Sequence, residues 1–350
     1  HFINFTRCLI SYIVELCGER LRNLTVVSSF LGWVTGVCLV SLLSWLIADW
    51  KYLLWALNLP SAIFFLFWWL IPESPRFLLS KDKIPKFKKI MTKIAKCNGK
   101  KIGPEFESLV VIAQEEEKKK KVPFTMVLKS FSLIKHLILL SIALSLAFMF
   151  YTGISLNLHN MTGNMFLNYF MLTIFELPGI LFGHWSSAYF GRRLSAVFFQ
   201  SLATINIIIP VFFLDSPWTV SLFCSISKMF SGSTYVCLYK QIGELFPTPL
   251  RASAYGITGV IALAATVIVP SIIAIGHDSK ATPYYFLCGF VLLQTITISF
   301  LPETLGIPYP QTIKEAMVIG KDQSYFSIIY KGNLHKKRSN QTTKAEETKD

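Results

Sequence analysis

ELCGERLR, residues 15–22, and ELFPTPLR, residues 244–251, carry the same two charges at the same spacing: Glu15 with Arg22, and Glu244 with Arg251. In each copy the acid and the arginine are seven residues apart, and the copies lie 229 residues apart. The pattern continues downstream, where Pro72-Glu73 in PESPR is answered by Pro302-Glu303 in PETLG. Each copy places an acid and an arginine ahead of two long apolar segments and a Pro-Glu behind them. A repeat on this scale, in a chain made mostly of apolar segments of about 20 residues, points to a transport protein built from two related halves. The halves are unequal here. Six apolar segments end at the second Pro-Glu and three at the first.

The segments run over 2–17, 26–47, 51–71, 133–156, 165–188, 194–214, 217–240, 253–276 and 284–301. Each is close to the roughly 20 residues needed to cross about 30 Å of hydrocarbon. A mean hydropathy of +0.50, with 53% hydrophobic residues in runs and not in stripes, excludes a soluble globular domain. Pro60, Pro178, Pro210 and Pro270 fall inside these runs, as membrane helices tolerate. The result is an all-α membrane protein: three spans in 1–71, a polar insert over 72–132, six spans in 133–301, and a polar tail over 302–350.

The net charge of +14 invites a nucleic-acid reading, but its distribution argues against one. Most Lys and Arg lie in the 72–132 insert and the tail. With the insert cytoplasmic and the spans alternating, only Lys51 and Lys280 lie outside, and Arg7, Lys228 and Lys240 lie within spans. All other Lys and Arg then fall on the cytoplasmic side, as the positive-inside rule requires. The seven Cys show no metal spacing and are expected to be free, packing residues. No nucleophile–base set or phosphate loop suggests an enzyme, and no cofactor is expected. Two sequons, Asn4-Phe5-Thr6 and Asn160-Met161-Thr162, sit too near the membrane to be expected glycosylation sites.

Within the insert, Phe87, Ile90, Met91, Ile94 and Ala95 recur at helical spacing between lysines, with Pro85 as a start and Gly99 as a stop. This basic amphipathic helix is expected against the cytoplasmic ends of the bundle or on the anionic inner leaflet. EEEKKKK, residues 115–121, pairs acids with lysines three and four residues on and is expected to be a solvated helix.

These residues together resemble the organic cation, anion and zwitterion transporters of the major facilitator superfamily, solute carrier family 22-like, closest to the cation/carnitine branch. The resemblance rests on ADWKYLLWALNLPS, WWLIPESPRFLL with KIAKCNG, YTGISLN, FLNYF with FELPG, GRRLS, ELFPTPLR and LPETLGIPYPQTI, and covers nearly all of residues 1–320. It implies twelve helices in two six-helix bundles, of which this chain holds the fourth to the twelfth. The chain begins with His1 and not Met, reads as a fragment or as a gene model lacking its start, and is not expected to transport by itself. The resemblance implies a plasma-membrane carrier for a small organic cation or zwitterion, with sodium or a proton as a possible coupling ion. Sugar porters usually carry a QQ-x-SG and a G-P-x-P-W stretch, where this chain reads AFMFYTGISLN and KMFSGSTYVCLY. A non-transporting membrane receptor or scaffold is the reading from another class.

Candidate gating residues are Glu15, Arg22, Glu73, Arg76, Arg192, Arg193, Glu244, Arg251 and Glu303, all at the cytoplasmic ends of spans. Ion pairs near a surface break easily enough to serve a gate; the plainer reading is that these charges only set topology. Where the superfamily usually has an Asp ahead of Arg192, this chain has Ala188, so the resemblance implies no acid latch from that position. Lys228 stands midway in an apolar span, where an ammonium costs roughly 2.5–3.5 kcal/mol. It lines a substrate cavity or sits in a structural ion pair. Glu176, two residues before Pro178, pairs with a cation, relays a proton or satisfies backbone freed by the proline. Lys240 is expected to pair with Glu244 one turn on. Among Trp33, Tyr151, Tyr169, Trp185, Tyr235 and Tyr239, Tyr151 and Tyr235 are chosen as cation–π walls over simple packing. Leu263 stands where cation carriers often have Asp and anion or carnitine carriers Arg.

Overall fold

The computed structural model describes residues 19–60, 72–100, 103–119, 130–160, 163–275, 279, 281–307, 310 and 312–320, and no strand occurs among them. Two compact units result: His1–Ser29 with Leu42–Pro123, and Phe30–Ser41 with Phe124–Asp350.

In the first unit, α1 (Glu19–Leu46) is one long helix, whose stretch Phe30–Ser41 counts with the second unit. Asp49 caps α2 (Trp50–Asn58), accepting from the Lys51 amide. Ser74 and Pro75 open α3 (Pro75–Ser80). α4 (Ile84–Cys97) starts with Pro85 in its first turn. It stops at Gly99, whose φ of +66° lets the Lys100 amide turn back to the Ala95 carbonyl. α5 (Phe106–Lys119) carries the first residues of the acid–lysine run as helix. Leu78 and Leu79 of α3, Phe87 of α4 and Val110 of α5 form a small core, with Ile84, Ile90, Met91, Phe106 and Ala113 around it. This corrects what covers the apolar face of the amphipathic helix. Its apolar face is buried inside its own insert, because α3 and α5 supply partners across short, entropically cheap loops.

The second unit runs α6 (Phe131–Leu156), a 3-10 turn over Asn157–Asn160, α7 (Met165–Ile174), α8 (Glu176–Tyr189), α9 (Arg192–Phe212) and α10 (Pro217–Leu245). It continues with α11 (Thr248–Thr266), α12 (Val269–Ala274), α13 (Thr282–Ser299) and α14 (Ile313–Val318). Six candidate membrane spans occur among the described residues: Val27–Leu46, Phe131–Leu156, Met165–Tyr189, Arg192–Phe212, Leu250–Ala274 and Thr282–Ser299. Segment 2–17 and the end of 51–71 lie outside the described residues. α7 and α8 form one span interrupted at Phe175, where Pro178 removes the hydrogen bond that would tie the two helices.

The seventh predicted segment, 217–240, is α10, which is too polar to qualify as a span on hydropathy. It crosses by being enclosed. α10 packs against α6, α7, α8, α9 and α11. Its hydroxyls join the neighbouring backbones: Ser227 donates to the Ala203 carbonyl at 2.8 Å and Ser233 to the Gly179 carbonyl at 2.7 Å. Gly179 and Gly183, one turn apart on α8, lie directly on the α10 backbone. A methyl group at Gly183 would stand 2.6 Å from the Ser233 carbonyl oxygen, and one at Gly179 would collide with that of Met229. On the outside, Phe131, Phe182, Trp185, Phe198, Phe212 and Leu293 are exposed. Such a surface suits lipid and not water.

Candidate substrate site and gate

The break at Phe175 puts Glu176 at the start of α8, where the helix dipole favours an acid. Lys228 faces it from α10. The ammonium lies 2.6 Å from Glu176 Oε1, and both side chains are buried. The same ammonium sits 4.3 Å from the centre of the Tyr151 ring and 5.9 Å from that of Tyr169. The Tyr151 hydroxyl accepts from the Trp33 indole at 3.0 Å and faces the Glu176 carboxylate. Behind Tyr151 lie Tyr235, 6.3 Å away edge to face, then Tyr239 and Tyr255, each stacked on the last. The site is thus a charge pair of zero net charge, walled by tyrosines and buried within the unit.

A second cluster lies at the C-terminal end of α10. Arg192, the first residue of α9, grips Glu244 through Nε and Nη2, the shortest contact being 2.8 Å. Its Nη1 donates to the Ser187 carbonyl at 2.8 Å. The other Glu244 oxygen accepts from the Thr304 hydroxyl. Glu303 caps α9, accepting from the Arg192 and Arg193 amides at 2.8 and 3.0 Å, and also from those of Thr304 and Leu305. Arg193 reaches the Leu301 carbonyl at 3.5 Å. The turn requires Gly191. Its φ is +100°, and a Cβ there would stand 2.6 Å from Glu303 Oε2.

The family model for "Sugar (and other) transporter" matches residues 5–312. The chain belongs to that family. It is a family of transporters and not of enzymes, and the chain is a multi-pass membrane protein of the major facilitator fold. Organic cation transporter 1 of Caenorhabditis elegans is 28% identical over 316 residues, covering 88% of this chain and 54% of that protein. Organic cation/carnitine transporter 2 of Homo sapiens is 26% identical over 313 residues, covering 87% and 55%. The chain therefore spans about half the length of the curated relatives it matches. Among solved structures, the proton:xylose symporter XylE shares the fold with a TM-score of 0.63 and 18% identity, over 88% of this chain and 69% of that one.

On this transporter fold, Lys228, Glu176 and Tyr151 meet, and Tyr235 lines the row behind them. Tyr169 joins the charge pair, whereas Trp185 is exposed and packs on Tyr189 and Phe190. Arg192, Arg193, Glu244 and Glu303 form the end cluster. Arg192 does without the missing acid at Ala188 by taking one from α10. Arg251 opens α11, half-buried. Glu73 is exposed and, among the described residues, approaches Lys86 alone, at 3.9 Å. Glu15 and the side chains of Arg22 and Arg76 lie outside the described residues. The expected Lys240–Glu244 pair is corrected: Lys240 donates to the Ser187 hydroxyl at 2.7 Å and the His184 carbonyl at 3.3 Å. A lysine N-terminal to its glutamate is the weaker order for such a pair, and Arg192 offers Glu244 a forked partner. Cys38, Cys97, Cys224, Cys237 and Cys288 are free. Thr304 and Ser187 were not foreseen; nothing in their spacing marks them.

Proposed function

We propose that this chain is the greater part of a plasma-membrane secondary transporter for small organic zwitterions or cations, carnitine-like, working by alternating access. The chain then supplies three helices of one bundle (1–71), a cytoplasmic loop (72–132), the second bundle (133–301) and a cytoplasmic tail (302–350). The buried Lys228–Glu176 pair carries the reading. A pair of zero net charge in low dielectric resists a substrate that strands either member. A zwitterion offers a partner to both: its carboxylate takes Lys228 while its ammonium takes Glu176 and the face of Tyr151 that Lys228 vacates. The Arg192–Glu244–Glu303 cluster is the cytoplasmic latch, and sodium or a proton is the candidate coupling ion. The relatives named organic cation and carnitine transporters support this class. Leu263, uncharged and half-buried on α11, favours a neutral solute as the second reading.

Uptake in oocytes expressing the chain within its full reading frame tests this, with labelled carnitine, tetraethylammonium, p-aminohippurate and xylose, each with and without sodium. Carnitine uptake is expected, with loss of at least a hundredfold in Lys228→Ala, about 3 kcal/mol at the site. Unchanged kinetics in that variant would overturn the site. Flux of xylose alone would favour the neutral solute.

A further inference from the structure

The insert has spent its apolar face on its own core, so the opposite face of α4 needs a different explanation. Lys86, Lys89, Lys93 and Lys96 follow one another at three- and four-residue steps on that face, over about 15 Å of helix. All four are exposed. Lys89, Lys93 and Lys96 pair with no carboxylate among the described residues, and Lys86 reaches Glu73 only at 3.9 Å. Lys88, by contrast, lies off the stripe and is paired with Glu107 of α5 at 2.6 Å. Asp82 is engaged by Gln114. Like charges at this spacing weaken a helix unless something negative covers them. Positive-inside bias accounts for the number of lysines but not for their gathering on one face.

We propose that the lysine stripe of α4 docks on the anionic headgroup layer of the membrane, held by charge and without insertion. α4 begins twelve residues after the apolar segment 51–71 ends, and the chain re-enters an apolar segment at 133. Twelve residues reach at most about 40 Å, so the headgroup surface is the anion kept at highest local concentration. The apolar residues that would otherwise enter the acyl layer, Phe87 and Met91, are occupied by Leu78, Leu79 and Val110. The inference rests on the segments flanking the insert being membrane spans and is independent of the substrate.

Hydrogen exchange of the whole chain in nanodiscs tests it. Phosphatidylcholine discs are compared with discs containing about one third phosphatidylserine. Amides of peptides covering 84–97 are expected to exchange about tenfold more slowly in the anionic discs, each lysine near the surface adding up to about fivefold to the docked population. The slowing is expected to vanish in about 0.5 M salt and in the variant Lys86→Gln/Lys89→Gln/Lys93→Gln/Lys96→Gln. Protection around Val110 should stay unchanged in that variant, which shows that the insert still folds. Equal exchange in the two discs would overturn the proposal and leave an acidic protein as the occupant. Slowing that survives both salt and the fourfold variant would overturn it in favour of apolar docking. Neither result bears on uptake.

Discussion

Lys228 and Glu244 stand on the same helix, about 24 Å apart along its axis, and are held in opposite ways. Lys228 has one carboxylate and two aromatic faces. Glu244 has a forked arginine and a hydroxyl, and the next acid, Glu303, takes four backbone amides. The difference follows from position. In mid-helix the backbone amides are already satisfied, so a buried charge there finds few backbone donors and turns mainly to side chains. At a helix end free amides are available, and a carboxylate is secured by several at once. A charge with one partner exchanges it readily; a charge with many holds.

The largest test of this contrast removes half of the mid-span pair. Glu176→Ala should cost about 3–5 kcal/mol of stability by stranding Lys228. The double variant Glu176→Leu/Lys228→Met should recover most of the loss, read as melting temperature in detergent. A double variant no more stable than the single would show that the pair is tied into a wider network, as the end cluster is. Next, Gly191→Ala should cost about 1–3 kcal/mol, because a side chain at φ +100° is strained and meets Glu303. It should also speed exchange of the first α9 amides, where a variant with unaltered exchange would show that Glu303 is not the cap. The smallest effect falls on the insert. Hydrogen bonding and charge from Lys88 hold the exposed Glu107 carboxyl below its ordinary value. A lowered carboxyl stabilises above its unfolded value, and that contribution is lost as pH falls through the folded one. Melting of the α4–α5 contact should therefore ease only in acid, and a Glu107→Gln variant should show no such step.

Much of this was legible in the residues. Lys228 stood out because an ammonium is costly in mid-span, and Glu176 because a carboxylate beside Pro178 needs a partner. That they are each other's partner was not legible, since 52 residues separate them and no spacing rule links two spans. α4 was bounded by its proline and glycine, but the cover of its apolar face was misplaced. Amphipathic periodicity reports that a face is buried, not what buries it. Lys240 and Glu244 followed a local rule that tertiary contacts overrode: Arg192 and Ser187 arrive from elsewhere in the chain. Of the candidate gate charges, Glu244 and Glu303 stood out through the repeat and Arg192 and Arg193 as a charged pair at a span end, while Thr304 did not, because a threonine beside an acid has too many ordinary uses.

The enclosure of α10 has a consequence for parity. A count made on hydropathy alone finds five crossings after the insert and omits this one. One omitted crossing inverts every later loop, setting Arg251 and the 302–350 tail on the opposite face from residues 72–132. Counting α10 as a crossing predicts that insert and tail share a side, so that epitopes placed in each are expected to be shielded or exposed together in intact cells. What entitles α10 to cross is the company of five helices, not its own greasiness. Its polar residues are thereby spared from lipid and meet partners on the neighbouring helices instead.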